Sequence, residues 1–144
     1  MYGQNAANAY RKVGLETGVI AASPHQLIMM LFDGAKAALT KARVHFEDGR
    51  IADRGLALSK AIGIIGGLRD GLDMDAGGEL SRNLRDLYDY MGQRLLEANL
   101  ENDVVKVQEV DTLLDTIASA WRAITPAAGT GAPAAQAGTG VRYE

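Results

Sequence analysis

Residues 105–124, VKVQEVDTLLDTIASAWRAI, are the most regular part of the sequence. Their apolar side chains recur at alternating steps of three and four residues, at Val107, Val110, Leu114, Ile117, Trp121 and Ile124. This period places all six side chains on one face of an α-helix, and such a continuous stripe is typical of a helical-bundle seam. We therefore expect a helix over residues 103–124, capped by Asn102 or Asp103.

Three further segments with helical periodicity precede this one. Ser23, Pro24 and Gln26 form the start signal of the first segment, because they match an N-cap, a proline at the first helical position and the third residue of a capping box. Asp48-Gly49 ends that segment, and the polar turn 75–78 separates the next two. The expected helices span residues 24–48, 51–72, 79–100 and 103–124.

The four segments have similar lengths and short connections. No proline interrupts the chain between Pro24 and Pro126, which favours long helices there. At 1.5 Å per residue each helix would be about 30–36 Å long, so all four can share one core. We predict an all-α fold, an antiparallel up-down-up-down four-helix bundle with a short N-terminal helical segment packed on it.

The two ends of the chain differ from this bundle. Residues 1–23 have helical spacing, but Gly14 and Gly18 interrupt it, so this segment is expected to be only a marginal helix that needs a surface to lie on. Residues 125–144 are rich in Ala, Gly and Pro and offer little to bury, so a disordered tail is expected. The predicted organisation is an N-terminal segment or cover at 1–23, the bundle at 24–124 and the tail at 125–144.

Composition excludes several classes of function. The chain has no cysteine, so it has neither disulfides nor a thiol nucleophile, and its net charge of −3 argues against nucleic-acid binding. A di-iron site needs Glu-x-x-His pairs, but the residues three before His25 and His45 are Ala22 and Ala42. No convergent catalytic set is visible, so we expect no enzyme, no cofactor and no bound metal.

The sequence also lacks a signal peptide or a membrane-spanning run, which predicts a cytoplasmic location without membrane insertion.

The helices carry more apolar residues than one seam each requires. Some of this excess belongs to a broad core stripe, but together it suggests apolar grooves on the outside of the bundle, shaped for partner helices. Gly63 and Gly66 lie inside the second helix, where glycine weakens a helix. Either a partner helix approaches the bare backbone closely, or the bundle itself packs tightly there.

Several motifs resemble the flagellar secretion chaperone family FliS. The most specific is residues 23–35, SPHQLIMMLFDGA, in which an Asp-Gly pair interrupts a helical pattern. Ala9-Tyr10, the run Leu87-Tyr88-Asp89-Tyr90-Met91 and Trp121 occur in the matching order. The resemblance covers about residues 1–124.

This resemblance implies a chaperone without catalytic activity. In the family, an antiparallel helical bundle binds the C-terminal segment of flagellin in the cytoplasm. That segment is disordered when free and forms helices in apolar grooves. Binding prevents premature polymerisation and aids type III export, which makes export-apparatus components further expected partners.

The alternative is a helical-bundle adaptor that docks a folded partner outside secretion. The expected partner-binding residues are Ile28, Phe32, Ile64, Leu96, Leu100 and Leu113, with Tyr10 on the N-terminal cover.

Overall fold

The computed structural model describes residues 23–124, and within this range the chain forms four α-helices and no strand. They are α1 (Pro24–Asp48), α2 (Ile51–Asp70), α3 (Gly78–Glu101) and α4 (Val104–Ala123). The prediction of an all-helical bundle is confirmed. The expected N-terminal segment with Tyr10 and the expected disordered tail lie outside the described residues, apart from Ser23.

The start of α1 is the capping box that the sequence predicts. The Ser23 hydroxyl oxygen accepts a hydrogen bond from the main-chain N–H of Gln26 at 3.1 Å, and the Gln26 side-chain oxygen accepts one from the Ser23 N–H at 2.8 Å. Two of the unpaired donors at the helix start are thereby satisfied. Gly49 ends α1 with a φ of 71°, a left-handed conformation that glycine adopts without strain.

The remaining ends are also set by local chemistry. The Asp103 carboxylate caps α4 by accepting from the Val105 N–H at 3.0 Å, just after Asn102 turns the chain with a φ of 54°. Helix α2 ends at Asp70, two residues before its predicted end. The chain then turns through residues 71–77, which include Asp73 and Asp75, to reach α3. There the Asp73 carboxylate accepts from the N–H groups of Asp75 and Ala76 at 3.1 and 2.9 Å.

Contacts between distant residues fix the direction of each helix. The His25 ring nitrogen Nε2 lies 3.0 Å from the main-chain oxygen of Trp121, which joins the start of α1 to the end of α4. Arg54 and Asn99 likewise join the start of α2 to the end of α3. Consecutive helices pack on each other, and the contact between α1 and α4 closes the ring. The result is an antiparallel up-down-up-down bundle.

The core runs along the whole bundle. In α4 the buried residues include four of the six predicted seam positions, and Ala118 completes the stripe. Burial of each large aliphatic or aromatic side chain contributes about 1.5–3 kcal/mol. The ten largest fully buried side chains are Ile28, Leu31, Phe32, Leu39, Leu58, Ile64, Ile65, Leu68, Tyr88 and Met91. None of the four described helices has the length and apolar character needed to cross a membrane.

Candidate functional site

Ion pairs cover the surface between α1 and α4. The Lys36 ammonium lies 2.9 Å from the Asp111 carboxylate and 3.4 Å from that of Asp115, and Arg43, two turns farther along α1, approaches Asp111 at 3.6 Å. A partner that packed over these charges would have to desolvate them. This surface is therefore poorly suited to an apolar partner.

The surface between α3 and α4 is also polar. The Glu109 carboxylate accepts hydrogen bonds from the Tyr90 hydroxyl at 2.6 Å and from Arg94 Nε at 2.7 Å. These two bonds lower the pKa of Glu109, and the bond that the Tyr90 hydroxyl donates to Glu109 raises the pKa of Tyr90. Lys106 donates to Glu97 at 3.2 Å, which lowers the pKa of that carboxyl. The network keeps the carboxylates and the basic side chains charged and the Tyr90 hydroxyl protonated at neutral pH, and it ties the two helices together.

Helix α2 packs beside α1 on one side and α3 on the other. The α1–α2 and α2–α3 surfaces carry fewer ion pairs than the α1–α4 and α3–α4 surfaces. On the side facing α3, buried Arg54 contacts Asn99 near one end of the bundle, and Arg69 pairs with Asp89 farther along. These contacts show which stripe of α3 lies beside α2. Since residues three, four and seven apart share a helix face, that stripe of α3 also contains Gly92 and Leu96.

Two leucines on this side of α3 are exposed to solvent. Leu96 is 50% exposed and Leu100 is 85% exposed, and their spacing of four residues places them on one face. Leu56 on the outer face of α2 is 72% exposed. We call the outward face that contains Gly66, Gly92, Leu96 and Leu100 the α2–α3 surface. An added Cβ at either glycine would meet no atom within 4 Å, so packing within the described bundle does not require glycine there.

The exposed apolar residues concentrate at one end of the bundle. Eight large hydrophobic side chains are exposed in the described range. Six of these lie within eight residues of the short turns at 49–50 and 102–103: Val44, Ile51, Leu56, Leu96, Leu100 and Val105. Scattered exposed apolar residues are normal, but a concentration of this kind marks a candidate interaction surface.

The structure separates the residues that the sequence predicted as one site. Leu96 and Leu100 lie together on the α2–α3 surface. Leu113 is half-buried on α4, four residues after Glu109 and hence on the side that faces α3. It therefore lies on the other flank of α3 from the two exposed leucines.

The other three predicted side chains lie in the core. Ile28, Phe32 and Ile64 are fully buried, which corrects the expectation that they line an outer groove. These side chains belong to α1 and α2, and each of these helices packs on two neighbours. The buried stripe of each helix is therefore wider than a single seam and includes apolar residues outside the regular seam positions. Tyr10 lies outside the described residues.

Sequence reasoning missed two features of this region. Leu56 lies two residues before Leu58, on the opposite face from the core stripe, and this offset was the available signal. Arg54 is only 6% exposed, although a charged residue is normally placed on the surface. No local pattern in the sequence reports its burial, because the Asn99 and Asn102 oxygens that it bonds lie 45 and 48 residues away.

The described residues show no metal-binding arrangement. Within residues 23–124, no group of three or more His, Cys, Asp or Glu side chains is placed to hold an ion. What this part of the chain offers is an apolar surface at one end of the bundle, next to charged surfaces on the α3–α4 and α1–α4 sides. This arrangement is suited to binding another polypeptide.

Comparison with known proteins decides the family. The model of the family described as flagellar protein FliS matches residues 6–128. The chain belongs to the FliS family. Similar proteins include the flagellar secretion chaperone FliS of Salmonella typhimurium, which is 54% identical over 129 residues that cover 89% of this chain and 96% of that protein.

Two further FliS relatives extend the comparison. The flagellar secretion chaperone FliS of Escherichia coli is 47% identical over 123 residues, covering 85% of this chain and 90% of that protein. The flagellar secretion chaperone FliSB of Pseudomonas aeruginosa is 45% identical over 125 residues, covering 87% of this chain and 99% of that protein. FliS is a family of flagellar secretion chaperones, not of enzymes, and the resemblance found in the sequence motifs is confirmed.

Proposed function

We propose that this chain is a cytoplasmic flagellar export chaperone that binds the disordered C-terminal segment of flagellin in apolar surface grooves. The observation that carries this proposal is the match, over nearly the full length, to proteins named flagellar secretion chaperones. Binding would shield the segment from premature polymerisation and hold flagellin ready for type III export. Export-apparatus components are proposed as further partners.

The α2–α3 surface is the proposed binding surface for this segment. A disordered partner loses conformational freedom when it folds on binding, so a stable complex needs an apolar contact area above about 1,000 Å². Leu96 and Leu100 offer an exposed pair at helical spacing, and Gly66 and Gly92 leave space beside them. A helix of the client could place its apolar face on these residues.

The remaining predicted residues take different parts in this proposal. Leu113 is proposed as a second contact on α4, away from the α2–α3 surface. Ile28, Phe32 and Ile64 are fully buried, so they would support the helices that form the surface rather than touch the client. The N-terminal segment with Tyr10 is proposed as a cover that the client displaces. Removing residues 1–16 should then leave binding of flagellin at least as fast as before.

Pull-down of flagellin with the full chain tests the proposal. We expect recovery of full-length flagellin and loss of recovery when the C-terminal segment of flagellin is deleted. Full binding of that truncated flagellin would overturn the mechanism and favour an adaptor that docks a folded partner. Hydrogen exchange with and without a peptide of the C-terminal segment should show protection along α2 and α3.

A pair of matched variants tests the surface. The double substitution Leu96→Ser and Leu100→Ser should weaken binding of the flagellin segment by about tenfold or more, because central apolar contacts carry most of the binding energy. Met30→Ser is the control, since this side chain is also exposed but lies on α1, outside the apolar cluster near the turns at 49–50 and 102–103. An equal loss in the control would contradict a binding surface between α2 and α3.

A further inference from the structure

Helix α1 carries a second apolar stripe that does not enter the core. Met30, Gly34, Ala37, Lys41 and Val44 follow one another at steps of four, three, four and three, which places them on one face. Met30 is 36% exposed and Val44 is 48% exposed. The stripe is about 21 Å long at 1.5 Å per residue, enough for four turns of a partner helix.

This stripe borders a groove between α1 and α2. The groove has a volume of about 130 Å³ and is walled by Gly34, Ala37, Ala38 and Ala57, with Lys41 and Lys60 completing its lining. The walls are glycine and alanine, so the backbone of a partner helix can come close before side chains meet. The larger side chains of Met30 and Val44 lie toward the two ends of the stripe.

The two lysines give the groove a charge. Lys41 and Lys60 are both exposed, and neither ammonium lies within 4 Å of a carboxylate in residues 23–124. Lys36 and Lys106 differ, since each of them pairs with two carboxylates. The groove therefore combines a narrow apolar floor with two positive charges that the described bundle leaves without a counter-charge.

We propose that this groove binds an acidic helix of a partner protein, with small side chains against the floor and carboxylates opposite Lys41 and Lys60. Charge complementarity selects this occupant. The N-terminal segment of the chain itself has two basic residues, Arg11 and Lys12, against one acidic residue, Glu16, so its charge does not complement the lysines. The groove is separate from the α2–α3 surface, and the inference does not rest on the function proposed above.

A designed peptide tests this inference directly. The probe is an alanine-rich helix of about 18 residues with glutamates along one edge, long enough to span the stripe. Matched peptides carry lysine or glutamine at the same positions. Amide chemical shifts of the full chain report where each peptide binds. We expect the glutamate peptide to perturb Gly34, Ala37 and Ala57 and to bind less tightly as salt is raised.

Variants of the chain separate charge from shape. Lys41→Glu with Lys60→Glu should weaken binding of the glutamate peptide by about tenfold and reverse the preference toward the lysine peptide. Arg82→Glu with Arg122→Glu changes the net charge equally at exposed sites on α3 and α4 and should have little effect. Ala37→Gln fills the groove without a charge and should weaken binding of all three peptides.

Four results would overturn the inference. One is equal binding of the glutamate and lysine peptides. Another is perturbation confined to the α2–α3 surface, and the third is an absence of any perturbation in the groove. If deletion of residues 1–16 alone creates binding that depends on neither lysine, the groove belongs to the N-terminal segment rather than to an acidic partner.

Discussion

Arg54 holds Asn99 at two points: its Nε donates to the side-chain oxygen at 2.9 Å, and its Nη2 donates to the main-chain oxygen at 3.1 Å. A third bond runs from Nη1 to the Asn102 side chain at 2.8 Å, and the guanidinium lies 4.7 Å from the centre of the Phe46 ring. No carboxylate pairs with Arg54 in the described range. Its charge instead meets the carbonyl end of α3 and an aromatic face, so one side chain joins α1, α2 and α3.

Replacing Arg54 should therefore destabilise the bundle strongly. We expect Arg54→Met to lower the free energy of unfolding by about 2–4 kcal/mol, because it leaves three oxygens without their charged donor. Arg54→Lys should retain only part of the stability that Arg54→Met loses, since an ammonium cannot reach all three oxygens. Urea unfolding measures the effect. Arg50→Met, at an exposed ion pair, should change stability by less than about 0.5 kcal/mol.

Gly77 should not tolerate a side chain. A Cβ at this position would overlap the Ser81 hydroxyl and lie 3.0 Å from the main-chain oxygen of Asp73. Ser81 cannot easily move away, because it is buried and its hydroxyl donates to that same oxygen at 3.0 Å. Gly77→Ala should cost about 1–3 kcal/mol in thermal or urea unfolding. A stability equal to that of the unchanged chain would show that the turn before α3 shifts without cost.

Gly66 and Gly92 should behave in the opposite way. Both lie inside helices, and a methyl group would meet no atom within 4 Å, so Gly66→Ala or Gly92→Ala should stabilise the free protein by about 0.5–1 kcal/mol. Each should also weaken binding of the flagellin segment, because the methyl group would project into the proposed α2–α3 surface. Calorimetric titration measures the affinity. A stabilised variant with unchanged affinity would place the client elsewhere.

Acid should weaken the junction between α3 and α4. The bonds from Tyr90 and Arg94 lower the pKa of Glu109 below its ordinary value of 4.5. A carboxyl with a lowered pKa stabilises the fold above its ordinary pKa, and this stability is lost as pH falls toward the lower value. Glu109→Gln should therefore be less stable than the unchanged chain near neutral pH.

The pH dependence of that difference is the measurement. The stabilities of Glu109→Gln and the unchanged chain should converge below about pH 4.5, as the carboxyl of the unchanged chain takes up its proton. Urea unfolding between about pH 7 and pH 3 would show this convergence. Glu79→Gln, at an exposed position, should differ little from the unchanged chain at any pH. A constant difference for Glu109→Gln would mean that its charge does not stabilise the junction.

The helices themselves were predictable because their signals are local. The capping box at Ser23 and Gln26 and the glycine stop at Gly49 each act within a few residues, and the structure shows them as predicted. Of the two predicted caps of α4, Asn102 and Asp103, the structure selects Asp103. The end of α2 was predicted two residues late, because Leu72 is buried beyond the helix and continues its apolar spacing. The outer surface was predicted in part: Leu96 and Leu100 are exposed, but Leu56 was not identified.

By itself the sequence determined the fold class, the four helices and, through its motifs, the family. Each of these depends on the order of neighbouring residues, which is visible in the chain. Only the tertiary structure decided that Ile28, Phe32 and Ile64 lie in the core while Leu56 faces solvent. A helix with two apolar stripes buries the stripe that its neighbouring helices cover. The positions of those helices depend on packing over the whole bundle. The same holds for Arg54, whose burial depends on oxygens that folding brings from 45 residues away.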